Sequence, residues 1–214
     1  NKSQNLLSIG YYPEEHRKDQ GYYDLLASEA RLTTLVGIAL GKLPQESWFA
    51  LGRQLTSQGL APVLLSWSGS MFEYLMPFLV TPAYPNTLLH QTSKAVIRRQ
   101  IEHGHNHGVP WGISESAYNM VDAHLNYQYK AFGVPGIGFK RGLGEDLVIS
   151  PYSTLLALMV APREAYKNLR DLKEEGIEGA YGFYEAIDYT TTRLLWKEKK
   201  VVVYSFMSHH QSMS

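Results

Sequence analysis

Apolar side chains recur at intervals of three and four residues in several stretches of the chain, which is the spacing of one helix face. The first stretch covers 22–40, where Leu25, Glu29, Leu32 and Val36 share a face and a glycine follows. This spacing places Glu29 on the apolar side of the predicted helix. Further helices are predicted over 44–58, 70–79, 87–107, 152–160 and 162–175.

The texture changes between 108 and 151, where glycine, proline, asparagine and aromatic residues dominate. This composition predicts long loops with short helical pieces, and such loops inside a compact helical domain are usually functional. The β-branched run 201–204 is the only convincing strand, and 63–67 is a candidate for a short extended segment. The pattern therefore predicts a mainly α chain with long functional loops and a short strand.

Composition narrows the class of ligand. The 214 residues suffice for one domain with a sizeable core, and 44% of them are apolar. Lys plus Arg equals Asp plus Glu, 20 each, so we expect no nucleic-acid partner and no anionic membrane surface. A neutral ligand such as a sugar fits better. The 15 Tyr and 4 Trp have flat faces with polar edges that suit sugar rings, although filling the core is the alternative.

The residues that are absent exclude other chemistries. Without cysteine, the chain has no disulfide, no thiolate nucleophile and no Cys-ligated metal, and we expect neither a metal nor a cofactor. No run is long and apolar enough to span a bilayer, so we expect no membrane insertion of this segment. The first residues lack an initiator Met and a signal-peptide pattern, and 209–214 resembles the start of a helix. We therefore expect a segment of a longer polypeptide.

Three stretches place a carboxylate among aromatic and small residues, around Glu29, Glu115 and Glu185. Hydrolysis or transfer of a sugar needs one acid that donates a proton, a second that attacks or accepts one, and aromatic walls. Burial on the apolar helix face would favour the neutral form of Glu29, which suits a general acid. An ion pair with Arg31 or Arg141 is an equally open interpretation of Glu29.

Glu115 lies between Ser114 and Ser116 in a segment shaped by glycine and proline. A carboxylate in such a loop can face a ligand and be held in its charged form by hydrogen bonds, which suits a nucleophile or a base. The alternative is that Ser114 or Ser116 caps a helix that follows. Both interpretations can hold at once.

Other carboxylates are candidates for substrate binding. Glu185 and Asp188 are three residues apart and share a face if they are helical, where they could bind sugar hydroxyls or support a catalytic acid. A solvated pair on a surface turn is the alternative. Glu73, next to Phe72 and Tyr74, is a weaker candidate.

Histidines and glycines also form patterns. His103, His105 and His107 alternate as in some zinc sites, but they end a helix, where surface positions are the better interpretation. His209 and His210 could bind hydroxyls at the rim of a pocket. The glycines between 133 and 142 fail the dinucleotide fingerprint and predict a turn that shapes a pocket.

Five motifs carry a family resemblance: 25–32, 65–77, 108–119, 125–129 and 181–189. In this order they resemble the glucoamylase-like domain of bacterial cyclic β-1,2-glucan synthases, over about residues 5–213. One motif departs from the family pattern. The family usually has Met-Ala-His-His-Gln-Gly-Met, whereas this chain has Met207-Ser208-His209-His210-Gln211-Ser212-Met213.

The resemblance implies an (α/α)-barrel of six helical hairpins, incomplete in this chain. It implies that 1–214 is a single glucoamylase-like catalytic domain within a larger, multi-domain synthase. Such a domain would be a soluble part of a membrane-bound enzyme, at the cytoplasmic face of the bacterial inner membrane. Its partners would be β-1,2-glucan and the remaining domains of the synthase, and it would cleave and cyclise the glucan by a retaining mechanism.

The resemblance also implies roles for residues. Glu29 and Glu115 match the positions of the acid/base and the nucleophile, with Glu185 as a possible third carboxylate. The predicted substrate-binding residues are Trp67, Glu73, Trp111, Tyr118, Asn119, Tyr127, Tyr184, Asp188, His209 and His210. Two alternatives stay open, an inverting glucan hydrolase with Glu185 or Asp188 as base, and a non-catalytic carbohydrate-binding domain.

Overall fold

The computed structural model describes residues 4–58 and 61–214, and the chain forms two compact units, Asn1–Leu55 and Thr56–Ser214. Within the described residues there are seven α-helices and eleven short β-strands. The expectation of a mainly α chain with one strand is therefore corrected to a mixed architecture. No helix in the described ranges has the length and apolar character needed to cross a bilayer. The assignment of 1–214 to a single domain stays a prediction.

The first unit contains two short paired strands and two helices, namely β1 (Tyr11–Tyr12), β2 (Arg17–Lys18), α1 (Ser28–Ala39) and α2 (Glu46–Ala50). The helix predicted from residue 22 begins only at Ser28. The reason is that Asp24 Oδ1 accepts the N–H groups of Leu26 and Ala27, at 2.8 and 3.2 Å. These side-chain bonds hold the preceding backbone outside the helical hydrogen-bond pattern.

The helix predicted over 44–58 is wrong beyond Ala50. The Arg53 guanidinium donates to the carbonyl oxygens of Trp48, Phe49 and Leu51, at 2.5, 3.2 and 2.6 Å. Carbonyls at a helix end need such donors, because the helix itself no longer supplies them. The chain then continues as β3 (Leu55–Gln58) rather than as helix.

The helices of the second unit agree with the periodicity. They are α3 (Met71–Leu75) followed by a 3-10 turn (Met76–Leu79), α4 (Leu88–His107), α5 (Pro151–Ala157), α6 (Pro162–Glu174) and α7 (Ser208–Gln211). The longest of them, α4, begins where the Thr87 hydroxyl accepts the His90 N–H. It ends at Gly108, whose φ of 65° is a left-handed conformation that glycine tolerates.

The remaining strands are short, namely β4 (Ala61–Leu64), β5 (Ser116–Val121), β6 (Tyr127–Lys130), β7 (Val148–Ile149), β8 (Glu178–Gly179), β9 (Gly182–Phe183), β10 (Ala186–Asp188) and β11 (Val201–Val203). β3 pairs with β4, β5 pairs with β6, β8 pairs with β9, and β10 lies between β7 and β11. The pairing is antiparallel between β5 and β6, between β8 and β9, and between β10 and both of its neighbours. The prediction of long loops over 108–151 is confirmed for the residues between the strands, whereas the short helical pieces predicted there are replaced by β5, β6 and β7.

The core of the second unit lies where α3 packs against α4 and α5, and where β10 contacts β5. Val63, Met71 and Val96 are fully buried there. Tyr74 is also buried, and its hydroxyl donates to the carbonyl of Ile137 at 2.6 Å. This bond ties the glycine-rich segment around residue 137 to α3, so that the core fixes loops as well as helices.

Candidate active site

Two buried side-chain amides fix the backbone that leads to Glu115. Gln100 accepts the Ile113 N–H and donates to the Ile113 carbonyl, both at 2.8 Å. Asn168 accepts the Trp111 N–H at 3.0 Å and donates to the Trp111 carbonyl at 2.7 Å. Each amide satisfies both polar groups of one residue, so the segment needs no strand partner at that point. Glu115 therefore follows a backbone with a fixed course.

Glu115 is half-buried and lies immediately before β5. Its backbone carbonyl accepts the Tyr152 hydroxyl at 3.0 Å, and that hydroxyl is 2.7 Å from Ser114 Oγ. Ser114 Oγ also accepts the N–H of Phe72 at 3.0 Å. Because a strand begins at Ser116, the alternative that Ser114 or Ser116 caps a helix is wrong.

Tyr129 hydrogen-bonds the Glu115 side chain through its hydroxyl. The pairing of β5 with β6, in which Ala117 faces Tyr129, brings this tyrosine from a distant part of the sequence. Burial and the neighbouring Glu115 and Glu185 charges raise the pKa of Tyr129 above its usual value. The hydroxyl thus stays protonated and donates to the carboxylate.

Behind Tyr129 lies a buried pair. His210 Nδ1 is 2.8 Å from Glu185 Oε1, which also accepts the Ala117 N–H at 3.1 Å. His210 Nε2 is 3.3 Å from the Tyr129 hydroxyl. The Tyr152 ring stacks on the imidazole of His210, with centroids 3.8 Å apart and planes 14° apart. A continuous chain of polar contacts therefore links Glu115 to Glu185.

Glu185 also borders a cavity of about 180 Å³. Its carboxylate is 2% exposed, and among the described residues Oε2 is a buried atom without a hydrogen-bond partner. The cavity lining combines aromatic and polar side chains, including Tyr152, Phe183, Tyr184, His210 and Gln211. Glu185 is thus positioned by the protein interior rather than by solvent.

A second polar cluster lies at the other end of β10. Asp188 is fully buried, and it accepts the Asn119 N–H at 3.1 Å and Arg193 Nε at 2.7 Å. Arg193 also contacts Asp146 Oδ1 at 2.5 Å and lies 4.9 Å from the centre of the Tyr118 ring. Glu185 directly precedes β10 and Asp188 is its last residue, so the shared helical face predicted for them is wrong, and so is the solvated surface pair.

Glu73 hydrogen-bonds the serines of the loop that precedes α3. Its Oε2 accepts from Ser66 Oγ at 2.8 Å and from Ser68 Oγ at 2.6 Å, and with Ser70 it forms the capping box that starts α3. The same loop presents Trp67 with 69% of its surface exposed. Substrate binding by Glu73 and Trp67 stays a prediction.

Glu29 lies in the first turn of α1, in the first unit, and is exposed. The expectation of burial is wrong because α1 buries its polar side, with Ser28, Arg31 and Thr34 inside. The Ser28 hydroxyl donates to Glu29 Oε2 at 3.2 Å. A carboxylate in the first helical turn is also favoured by the helix dipole. Burial lowers the pKa of Arg31 to about 10.

The other predicted binding residues differ in exposure. Tyr118, Asn119, Tyr127 and Tyr184 are half-buried, and His209 is exposed. Trp111 and His210 are buried, so His210 does not lie at the rim of a pocket as predicted. The His209 ring lies 5.7 Å from the ring of Phe72. Contact of any of these residues with a sugar stays a prediction.

Two further patterns are placed by the structure. His103 is buried, against the expectation of surface histidines, whereas His105 and His107 are exposed. Within 4–58 and 61–214, no group of three or more potential ligands is placed to hold a metal ion. The glycine-rich turn around Gly133 and Gly142 lines a cavity of about 50 Å³, as predicted for it.

Comparison with known proteins identifies the family of this chain. The glycoamylase family model, described as "Putative glucoamylase", matches residues 21–214. The chain belongs to this family. It is also similar to cyclic β-(1,2)-glucan synthase NdvB of Rhizobium meliloti strain 1021, with 51% identity over 209 residues. That match covers 98% of this chain and 7% of the relative.

Two crystal structures described as putative glucoamylases share the fold of this glycoamylase-family chain. The one from Bacteroides caccae has a TM-score of 0.60 and 17% identity, and covers 93% of this chain and 51% of its own. The one from Bacteroides fragilis has a TM-score of 0.59 and 19% identity, and covers 93% and 50%. The chain thus spans about half the length of these structures.

Sequence reasoning missed several residues of the site. Tyr129 lies in the motif 125–129, in which the sequence predicts only Tyr127 as a binding residue. Tyr152 and Arg193 lie outside every motif used for the resemblance. The available signal for Tyr129 was its position two residues after Tyr127, on the same face of a strand. That signal requires the strand, which the sequence pattern did not predict.

Proposed function

We propose that this glycoamylase-family domain cleaves β-1,2-glucan and rejoins the chain into a ring, retaining the anomeric configuration. The 51% identity to a cyclic glucan synthase over 98% of the chain supports the substrate and the ring-closing step. The observation that carries the proposal is the setting of Glu115. Its half-exposed carboxylate follows a clamped backbone and accepts the Tyr129 hydroxyl, as a positioned nucleophile requires.

In the first step, Glu29 protonates the glycosidic oxygen that leaves. The Glu115 carboxylate attacks the anomeric carbon, the glycosidic bond breaks, and a glycosyl ester forms. The exposure of Glu29 in the first turn of α1 supports its access to a substrate. A retaining mechanism needs its two carboxyl groups about 5–5.5 Å apart when the substrate is bound.

In the second step, the 2-hydroxyl at the other end of the same glucan attacks the anomeric carbon. Glu29 takes the hydroxyl proton, the ester bond breaks, and Glu115 regains its charge. Attack by the sugar must outcompete attack by water, so acceptor subsites should be aromatic and dry. The exposed ring of Trp67 and the half-buried rings of Tyr118, Tyr127 and Tyr184 suit them.

The burial of Glu185 and Asp188 argues against an inverting mechanism. An inverting enzyme needs a second carboxylate that activates water from solvent. Glu185 is paired with His210, and Asp188 is paired with Arg193, both inside the protein. Neither carboxylate is available to a water molecule that approaches a sugar, whereas Glu115 is.

We also propose the setting of the domain. The matched structures are about twice as long as this chain, so helical hairpins from outside 1–214 would complete an (α/α)-barrel. The domain would act within a larger synthase, at the cytoplasmic face of the inner membrane. The 7% coverage of the relative supports a multi-domain parent protein.

The test uses the full-length protein that contains this chain, incubated with linear β-1,2-glucan and analysed by mass spectrometry. Ring closure gives products one water lighter than linear chains of equal length. Glu29→Gln and Glu115→Gln should each lower the rate by more than about 1000-fold, because each removes a group that the chemistry requires. Glu174→Gln, an exposed carboxylate on α6, is the matched control and should keep the wild-type rate.

Three results would contradict the proposal. A Glu115→Gln protein with near wild-type turnover would remove the nucleophile assignment. Linear products alone, with an inverted anomeric configuration, would indicate a hydrolase. Glucan binding without turnover by the wild-type protein would indicate a carbohydrate-binding domain.

A further inference from the structure

We propose that Glu185, His210 and Tyr129 act together as positioning residues that aim the Tyr129 hydroxyl hydrogen at Glu115 and keep that carboxylate charged for attack. The inference rests on the proposed role of Glu115 as nucleophile. Tyr129 contacts the Glu115 carboxylate directly, whereas His210 and Glu185 act on it through Tyr129. The buried pair His210 and Glu185 thus has a task beyond holding the fold.

The Tyr129 hydroxyl carries one hydrogen, so it can donate to Glu115 or to His210, but not to both. When it donates to Glu115, its oxygen can only accept from His210 Nε2, 3.3 Å away. Nε2 must then carry a hydrogen.

The other ring nitrogen of His210, Nδ1, contacts Glu185. His210 Nδ1 lies 2.8 Å from Glu185 Oε1, an oxygen that already accepts the Ala117 N–H at 3.1 Å. A carboxylate oxygen that accepts a backbone N–H is favoured in its charged form, so Nδ1 is the donor of this contact. Both ring nitrogens of His210 then act as donors, Nδ1 to Glu185 and Nε2 to the Tyr129 hydroxyl.

These contacts couple Glu185 to Glu115 through His210 and Tyr129. A His210 ring with its hydrogen on Nδ1 alone, where Glu185 accepts it, would present a lone pair at Nε2. The Tyr129 hydroxyl would then turn its hydrogen towards His210, and Glu115 would lose its donor. The buried charge of Glu185 therefore controls the direction of a hydrogen bond at Glu115.

The surroundings of His210 are compatible with this assignment. The titratable groups that face it are Glu185 before β10, Tyr129 on β6, Tyr152 on α5 and His209 beside it on α7. Glu115 is reached through Tyr129. Tyr152 stacks on the imidazole of His210, which holds the plane of the ring.

The experiment measures kcat and KM from pH 4 to pH 9 for the full-length protein with linear β-1,2-glucan. The variants are Tyr129→Phe, Glu185→Gln and the double variant, with Tyr166→Phe as the matched control. Tyr166 is an exposed tyrosine on α6 with no assigned role. Tyr129→Phe removes one hydroxyl from a ring that is 43% exposed, so folding should be preserved. Thermal unfolding of each variant checks this.

We expect Tyr129→Phe to lower kcat about 10- to 100-fold, the effect of losing a hydrogen bond to a charged group. KM should change less than about twofold, because the substrate is not contacted. The acidic limb of kcat/KM should move to higher pH by about one unit, since the carboxylate has lost a donor that favoured its charged form. Glu185→Gln should move the limb in the same direction, and the double variant should be no worse than Tyr129→Phe.

The outcomes separate the inference from the proposed function. An unshifted limb in Tyr129→Phe overturns the inference, whatever Glu185→Gln does. If Glu185→Gln does not fold, His210→Asn replaces it, because Asn keeps a donor near Glu185 and loses the contact with Tyr129. Additive losses in the double variant would show independent roles and also overturn it. An active Glu115→Gln protein would instead overturn the proposed function.

Discussion

Individual polar side chains in this protein are divided between those that hold the backbone and those that remain accessible. Gln100 and Asn168 hydrogen-bond the backbone of the residues before Glu115, and Asn168 also donates to Thr154 Oγ1. Glu73 accepts hydrogen bonds from the serine loop before α3. Buried polar groups without partners are costly, so these contacts hold the backbone in one position. Glu29 is exposed and Glu115 is half-buried, and these are the two carboxylates to which the proposed mechanism assigns the chemistry.

One buried residue predicts a pH dependence. Burial lowers the pKa of His103 from 6.5 to about 4, and the neighbouring charges of His107 and Arg99 add to this effect. The folded state therefore excludes a proton that the unfolded chain binds below pH 6.5, so stability should fall as the pH drops from 6.5 to 4. His103→Gln should flatten this part of the stability curve, measured by urea unfolding between pH 4 and pH 8.

His105→Gln is the matched control, because His105 is exposed on the same helix. It should leave the pH dependence of unfolding as in the wild type. A His103→Gln protein that loses stability over the same pH range as the wild type would contradict this assignment.

Among the elements, the loops are held as firmly as the helices. The glycine-rich segment from Gly133 to Gly138 lies directly on the backbone of Ser68 and Gly69. A Cβ added at Gly133 would lie 1.7 Å from the Ser68 carbonyl oxygen, and one at Gly138 would lie 2.7 Å from Gly69 N. Only glycine allows two backbone segments to approach this closely.

We therefore expect Gly133→Ala to destabilise the protein by about 3 kcal/mol, because the backbone of one segment must move. Gly144→Ala is the control from the same loop, where the added Cβ would meet only Pro135 Cγ at 3.6 Å. It should change the free energy of unfolding by less than about 0.5 kcal/mol. Equal unfolding midpoints in urea for the two variants would contradict the close approach.

For the whole molecule, the balance of positive and negative charge limits which ligands long-range electrostatics can attract. The 20 basic and 20 acidic residues give a formal net charge of zero. Several of these charges are paired internally, as in the Arg193 cluster with Asp188 and Asp146. A protein with this balance has little long-range attraction for polyanions.

Binding of a neutral glucan should therefore be nearly independent of salt. We expect the Kd of the Glu115→Gln protein for linear β-1,2-glucan to change less than about twofold between 50 and 500 mM NaCl, because no counterions are released. Titration calorimetry at the two salt concentrations measures this. A Kd that rises tenfold or more with salt would indicate a charged ligand instead.

The sequence alone determined the long helices and the family. The periodicity and end signals of α4 and α6 predicted both helices almost to the residue, because helical hydrogen bonds and caps are local. The motifs around Glu29 and Glu115 predicted the glycoamylase-family match for the same reason, since they are readable along the chain.

Tertiary structure decided which carboxylates are accessible and what surrounds them. Glu29 is exposed, the reverse of what its helix face predicted, and Glu185 is buried, which excludes the surface-turn alternative. Burial depends on what packs against an element, and the local pattern does not encode it. The pairing of Ser116 with Lys130 brings Tyr129 to Glu115, and α7 brings His210 to Glu185. The first contact joins residues 14 positions apart and the second joins residues 25 positions apart, and no local period encodes such separations.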